Sequence, residues 1–142
     1  MAAEGAHTCV ASLDVGTTGI RCILYDKKAK VVAESYEKIR LIQGSPGASE
    51  IDPLELWELA KKVINASLTT AGITAAQVSS LGMTTMRSSI LTWDRTSGKP
   101  AHNIITWQDT RAQAICDVYD CCAEVYPLLC AILFNLFPFF FP

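Results

Sequence analysis

One short segment of the chain has the residue types needed to bind a phosphate group. It reads Asp14-Val15-Gly16-Thr17-Thr18. The glycine lets the backbone approach a ligand, and successive turn N–H groups with two hydroxyls can surround an anionic oxygen. An aspartate at the end of a strand can hold Mg²⁺, usually through water. The segment predicts a phosphate loop with a metal-binding carboxylate, although a tight hairpin with a structural aspartate fits the same residues.

Two further side chains could contact a ligand that carries several hydroxyl groups. Arg87 follows a predicted strand, where a fixed guanidinium suits such a ligand or a carboxylate. Trp107 ends another predicted strand and could pack on the carbon face of the same ligand. Each also has an ordinary explanation, because an arginine can form a surface ion pair and a lone tryptophan usually packs in a core. The two residues are therefore candidates for a substrate site.

The elements that must position these residues follow from the hydrophobic pattern. Apolar or alternating runs predict strands at 9–14, 20–25 and 31–39. Turn residues at 15–19 and a polar turn at 26–30 separate them. Three consecutive strands with such short connections form a meander.

A helix and a fourth strand follow the meander. Asp52 is a good N-cap, Pro53 suits the first helical position, and Gly72 ends the helix. Apolar residues at helical spacing between these signals predict one face that packs on the sheet. The run at 78–84 predicts the next strand, so the helix is a crossover connection.

A hairpin and a second helix complete the predicted order. The runs 89–94 and 102–107 flank a polar turn at 95–100. Asp109 could cap a helix that starts near Thr110. The fold class predicted from this order is α/β, with a mixed sheet made from a three-strand meander, a crossover helix, a strand and a hairpin, followed by a helix.

Composition excludes several classes of protein and changes along the chain. The net charge is −2, which argues against a nucleic-acid-binding protein. The charged residues all lie at or before Glu124, whereas all five phenylalanines lie within 134–141. The cysteines form no CxxC pair, and the N-terminus has no basic and apolar leader pattern. We therefore expect free thiols, no zinc site and a cytoplasmic location.

The C-terminal run from Pro127 to Pro142 is nearly all apolar. It has 16 residues and is interrupted by Pro138, whereas a membrane-spanning helix needs about 20 apolar residues. We expect this run to be aberrant sequence, with a tail anchor and a buried element as the alternatives. Membrane contact by the tail is not favoured.

Taken in order, four segments of the chain resemble motifs of the FGGY carbohydrate kinases. They are LDVGTTGIR at 13–21, IDPLELW at 51–57, LGMTTMRSS at 81–89 and ILTWDRTSGKPAHNIITWQDTR at 90–111. The glycerol kinases are the most similar members, in particular the divergent glycerol kinase five-like branch. Several motifs in one order make the resemblance specific, and it covers about 11–114.

The resemblance implies a partial ribonuclease-H-like domain of the actin/hexokinase ATPase type. It also implies transfer of the ATP γ-phosphoryl group to a polyol or sugar hydroxyl, with ATP and Mg²⁺ as cofactors and Asp14 near the metal. The residues implied to bind phosphate or ATP are Asp14, Gly16, Thr17, Thr18 and Arg21. The residues implied to bind substrate are Arg87, Ser88 and Trp107.

The chain also departs from glycerol kinase in ways that bear on function. Ser88 stands where glycerol kinase has a glutamate that accepts hydroxyl hydrogen bonds. Asp109 resembles an acidic residue of pentulose kinases, so a sugar is an alternative substrate.

The family's catalytic aspartate and adenosine-binding domain lie downstream. We therefore expect a truncated, inactive portion, with a flexible N-terminus at 1–8, an incomplete kinase domain at 9–116 and a divergent apolar tail at 117–142. A non-catalytic binding or regulatory isoform is the alternative.

Overall fold

Four strands of the chain form one mixed sheet. The structure is a computed structural model, which describes the backbone of residues 9–123 and the side chains of residues 9–118. Its elements in chain order are β1 (Cys9–Val15), β2 (Gly19–Tyr25), β3 (Val31–Lys38), β4 (Glu50–Ile51), α1 (Pro53–Ala71), a 3₁₀ turn (Ala75–Gln77), β5 (Val78–Thr84), β6 (Ile104–Ile105) and α2 (Gln113–Ala123).

The topology of this sheet brings two chain segments to the same edge. The strand order is β3-β2-β1-β5. β1, β2 and β3 form the antiparallel meander, whereas β5 runs parallel to β1. Because parallel strands end at the same side of a sheet, the turn after β1 and the segment after β5 lie at one edge. The predicted meander, crossover helix and parallel strand are all confirmed.

The two faces of the sheet differ in burial because side chains alternate along each strand. The inward side chains of β1 and β2 include Leu13, Ile20 and Cys22, which pack with Val63 of α1 in one apolar core. Burial raises the pKa of the Cys22 thiol. The opposite face carries exposed side chains such as Asp14.

Helix α1 begins and ends as its sequence signals predict. The Asp52 carboxylate accepts the backbone N–H groups of Leu54 and Glu55 at 2.8 and 3.2 Å, which satisfies donors that a helix start leaves unpaired. Gly72 ends the helix with φ of 66°, a left-handed conformation that costs glycine little. The buried Ser67 hydroxyl donates to the Cys22 carbonyl at 3.0 Å and joins the helix to the sheet.

The predicted hairpin after β5 forms, but its strands are much shorter than expected. Ile90 and Ile105 exchange two backbone hydrogen bonds of 2.9 Å, and Trp93 forms a bridge with Pro100. A regular strand is formed only at β6 within the described part of this hairpin, and β6 pairs antiparallel with β4. The strand lengths predicted at 89–94 and 102–107 are therefore wrong, since most backbone groups there bond within turns or to isolated partners.

The chain divides into two compact units, 1–109 and 110–142. In the second unit the described helix is α2, which begins at Gln113 and not near Thr110. The Asp109 carboxylate, just before this unit, accepts the Ser49 N–H at 3.0 Å.

Two predicted segments lie partly or wholly outside the described residues. They are the N-terminus at 1–8 and the apolar tail at 117–142, of which only the end of α2 is described. Among residues 9–123, no helix has the length and apolar character needed to cross a bilayer.

Candidate functional site

The turn after β1 is closed by backbone hydrogen bonds. The Gly16 N–H donates to the Gly19 carbonyl at 3.0 Å, and the Ile39 N–H donates to the Thr18 carbonyl at 3.1 Å. A Cβ on Gly16 would lie 3.2 Å from the Gly19 oxygen, which is tighter than ordinary contact, so glycine suits this position. The Thr17 side chain is half-buried and the Thr18 side chain is exposed. The turn therefore has the compact form expected of a phosphate loop.

Asp14 lies just before this turn, on the open face of the sheet. Its cross-strand partners are Arg21 on β2 and Thr84 on β5. The carboxylate is exposed, and it has no hydrogen-bond or ion-pair partner among the described residues.

The donor set around Asp14 fits a metal that keeps most of its own water. The described residues contain no group of three or more His, Cys, Asp or Glu side chains that could hold a metal ion. Mg²⁺ commonly binds through one or two carboxylates together with substrate phosphates and water. An available aspartate beside a phosphate loop fits that mode, and it does not fit a site made wholly of protein ligands.

The segment after β5 supplies the second predicted cluster. Thr85, Met86, Arg87 and Ser88 follow the end of the strand, next to the turn after β1. Ser88 has φ of 51°, in the left-handed region that a serine adopts at some cost. Arg87 and Ser88 therefore lie in a turn beyond the end of β5.

A polar network holds the turn that carries Trp107. The buried Thr106 hydroxyl donates to the Ser49 hydroxyl at 2.7 Å, and the Thr106 N–H donates to the Ser49 carbonyl at 3.0 Å. The Asp109 carboxylate accepts the Ser49 N–H, and the Asp109 N–H donates to the Thr106 carbonyl at 3.0 Å. The indole of Trp107 is thereby directed toward the turn after β1, where its Nε1 donates to the Thr17 hydroxyl at 3.4 Å.

These segments enclose one open cavity of about 620 Å³. It is lined by Gly16, Thr17, Thr85, Met86, Arg87, Ser88 and Trp107. Three of the predicted residues lie outside this lining: Asp14, Thr18 and Arg21. Thr85 and Met86 were not singled out from the sequence, and their position directly before Arg87 was the available signal.

Asp109 also takes part in the polar network that holds the Trp107 turn. The resemblance to pentulose kinases made it a possible indicator of a sugar substrate. In the structure its carboxylate binds the Ser49 N–H and so contributes to holding the Trp107 turn. No sequence pattern links Ser49 to Asp109, because they are 60 residues apart.

The sequence pattern that defines the FGGY family of carbohydrate kinases, N-terminal domain, matches residues 9–133. The chain therefore belongs to the FGGY family of carbohydrate kinases. The match extends beyond residue 116, the expected end of the kinase domain.

Similar proteins share the same N-terminal region. The chain is 46% identical over 106 residues to a glycerol kinase of Haloquadratum walsbyi. The alignment covers 75% of this chain and 21% of that protein. It is also 46% identical over 106 residues to glycerol kinase 5 of Danio rerio, and this alignment covers 75% of this chain and 20% of that protein. The chain thus spans about a fifth of the length of these relatives.

A solved structure agrees with the fold. The crystal structure of Plasmodium falciparum glycerol kinase with ADP aligns with a TM-score of 0.70 and 25% identity, over 80% of this chain and 23% of that one. The predicted α/β class and family are therefore confirmed.

Proposed function

We propose that this chain forms the phosphate-binding and substrate-binding part of an ATP-dependent kinase that phosphorylates a hydroxyl of glycerol or a similar polyol. The observation that carries the proposal is that Gly16 and Thr17 line the same cavity as Arg87, Ser88 and Trp107. Phosphoryl transfer depends on positioning the two reactants and on stabilising charge. A cavity whose lining combines the loop donors with a guanidinium and an aromatic ring suits that task.

The proposed roles follow from the chemistry of each side chain. The turn N–H groups and the Thr17 and Thr18 hydroxyls bind phosphate oxygens, and Arg21 beside them adds positive charge. Asp14 would hold Mg²⁺, which when bound neutralises charge on the phosphates.

The substrate would lie in the same cavity, against Arg87, Ser88 and Trp107. The Arg87 guanidinium donates hydrogen bonds to hydroxyl oxygens, and the Ser88 hydroxyl can donate or accept one. The face of Trp107 packs on the carbon chain of the polyol. A serine at position 88 accepts fewer hydrogen bonds than a glutamate would. Sugars should therefore be tested as substrates together with glycerol.

We also propose that the chain by itself does not transfer phosphate. None of the described residues that line the cavity is Asp, Glu or His, so that lining offers no group to accept the proton of the substrate hydroxyl. Incubation of the purified chain with ATP, Mg²⁺ and glycerol should release no glycerol phosphate. Turnover that survives repurification would contradict this part of the proposal.

Binding of ligands to the full 142-residue chain tests the rest of the proposal. Glycerol, a pentitol, a pentulose and a magnesium complex of a non-hydrolysable ATP analogue would be titrated while the Trp107 indole and the Gly16 and Thr17 amides are followed by NMR. We expect shifts at these three groups, with one substrate bound best. Arg87→Ala should abolish the polyol response, and Arg95→Ala, which removes an exposed arginine of the hairpin, should preserve it. Absence of any shift in the wild-type chain would sink the proposal.

The same titration examines a non-catalytic function. A binding or regulatory isoform would associate with a full-length kinase without showing ligand-dependent shifts at the cavity. A cytoplasmic location is part of the proposal, because Cys9, Cys22 and Cys116 are free thiols, which suits a reducing compartment.

A further inference from the structure

Three side chains lie in a row across the open face of the sheet, next to the phosphate loop. Asp14 on β1 is the register partner of Arg21 on β2, and Arg21 is the partner of Tyr36 on β3. All three side chains are exposed. Directly opposite side chains on neighbouring strands have Cβ atoms about 5 Å apart, and opposite charges there attract. The register alone therefore predicts an ion pair between Asp14 and Arg21.

The described residues contain no such ion pair. Arg21 instead places its guanidinium carbon 5.6 Å from the centre of the Tyr36 ring, a distance at which a cation is attracted to the face of an aromatic ring. The Asp14 carboxylate has no partner among the described residues. The arginine has therefore turned away from the aspartate and toward the tyrosine.

The Tyr36 ring is itself held in place by the phosphate loop. It lies directly over Gly19, where a Cβ would overlap the ring carbons and the phenol oxygen. Its hydroxyl donates to the Thr18 carbonyl at 3.5 Å, a long bond that nevertheless directs the ring toward the loop. Because Gly19 has no side chain, the ring can occupy this position.

We propose that Tyr36 is a positioning residue that keeps Arg21 away from Asp14. The carboxylate then stays available to a divalent cation, and the guanidinium stays available to a phosphate oxygen. Without the ring, the arginine would pair with the aspartate and compete with the cation for it. This inference rests on the proposed function for the metal-binding role of Asp14.

The experiment measures binding of Mn²⁺ alone to the full chain. Mn²⁺ broadens the NMR signals of nearby groups, so the Gly16 and Thr17 amides report the affinity of the site. We expect Tyr36→Leu to weaken Mn²⁺ binding by about two- to fivefold, the range that an exposed cation–π contact supports. We expect the double variant Tyr36→Leu with Arg21→Leu to restore the wild-type affinity or exceed it, because no cation then competes for Asp14.

Two single variants separate this role from ordinary packing. Tyr36→Phe keeps the ring and loses the bond to Thr18, so it should retain the wild-type Mn²⁺ affinity. Trp57→Leu removes a second pair of the same kind, in which the Lys61 ammonium lies 5.7 Å from the Trp57 ring on helix α1. This change should leave Mn²⁺ binding unchanged.

Each remaining outcome decides the inference. An unchanged affinity in Tyr36→Leu overturns it. A weakened affinity that the double variant does not restore also overturns it, because Tyr36 would then act through the loop and not through Arg21. If the wild-type chain shows no Mn²⁺ broadening, the metal part of the proposed function fails separately. The inference is then decided without metal, since the Arg21 side-chain signals should show a ring-current shift that Tyr36→Leu abolishes.

Discussion

The turn after β1 and the turn that carries Trp107 face the same cavity but are held in different ways. The first is closed by backbone bonds, from the Gly16 N–H to the Gly19 carbonyl and from the Ile39 N–H to the Thr18 carbonyl. These bonds join residues within or beside the meander. The turn is therefore formed as soon as the three strands pair.

The Trp107 turn depends on side chains that come from distant parts of the sequence. The hydroxyls of Thr106 and Ser49 bond to each other across 57 residues, and Asp109 accepts the Ser49 N–H. Ser49 and Thr106 are buried, at 3% and 2% exposure. A buried polar group that loses its partner costs more than an exposed one. The comparison implies that side-chain substitutions should displace the Trp107 turn more readily than the turn after β1.

The largest effect is expected from Thr106→Val, which keeps the shape of the side chain and removes its hydroxyl. The Ser49 hydroxyl loses its donor, and the Gln108 N–H loses an acceptor at 3.3 Å. We expect the free energy of unfolding to fall by about 2 kcal/mol. Urea unfolding of the full chain measures this value.

The position of Trp107 supplies a second measurement for this substitution. With Trp57 and Trp93 replaced by phenylalanine, Trp107 is the only tryptophan of the chain, and its emission should shift to longer wavelength in Thr106→Val. Thr106→Ser keeps the hydroxyl and should retain the wild-type emission. An unchanged emission in Thr106→Val would contradict a role of this network in holding the turn.

A smaller loss is expected from Gly19→Ala, at the start of β2. The new methyl group overlaps the Tyr36 ring, but that ring is 53% exposed and can swing outward. We expect a loss of about 1 to 2 kcal/mol in the free energy of unfolding, with displacement of the ring as the main cause.

Gly82 provides the matched control for this substitution. It lies in β5, and no heavy atom lies within 4 Å of its added Cβ. Gly82→Ala should change the free energy of unfolding by less than about 1 kcal/mol, measured in the same urea series. Equal losses at both glycines would show that contact with Tyr36 does not matter.

Asp109→Ala should lower the free energy of unfolding by about 1 kcal/mol, because it removes the acceptor of the Ser49 N–H. It should also shift the Trp107 emission in the same direction as Thr106→Val, and by a smaller amount. Asp109→Asn retains an amide oxygen that can accept the N–H, so it should recover part of the loss. A full loss of polyol binding with unchanged emission would indicate direct substrate contact by Asp109.

The smallest effect is expected at Ser88, where substitution should stabilise the chain. Ser88 has φ of 51°, and glycine adopts this conformation without the steric cost that a serine side chain adds. Ser88→Gly should raise the free energy of unfolding by about 0.5 kcal/mol. Ser89→Gly, at a neighbouring position without positive φ, should lower it by a similar amount. A loss at position 88 would show that its hydroxyl contributes more than the strained backbone costs.

Much of the fold could be predicted because its signals are local. Alternating apolar residues located β1, β2 and β3 to within one or two residues, and Asp52 with Gly72 located the ends of α1. The strands of the hairpin were predicted too long because apolar residues at 89–94 and 102–107 resemble strands. The pairing of β6 with β4 was not predicted, since strands of two residues carry no periodic pattern.

The sequence by itself determined the family, the α/β order of elements and the residues that could bind phosphate and substrate, because motifs and periodicity involve neighbours in the chain. Tertiary structure alone decided that Gly16, Thr17, Arg87 and Trp107 line one cavity. It likewise decided that Asp109 holds a turn and that Arg21 faces a ring. Such contacts follow from strand register and from partners far apart in sequence, which no local pattern specifies.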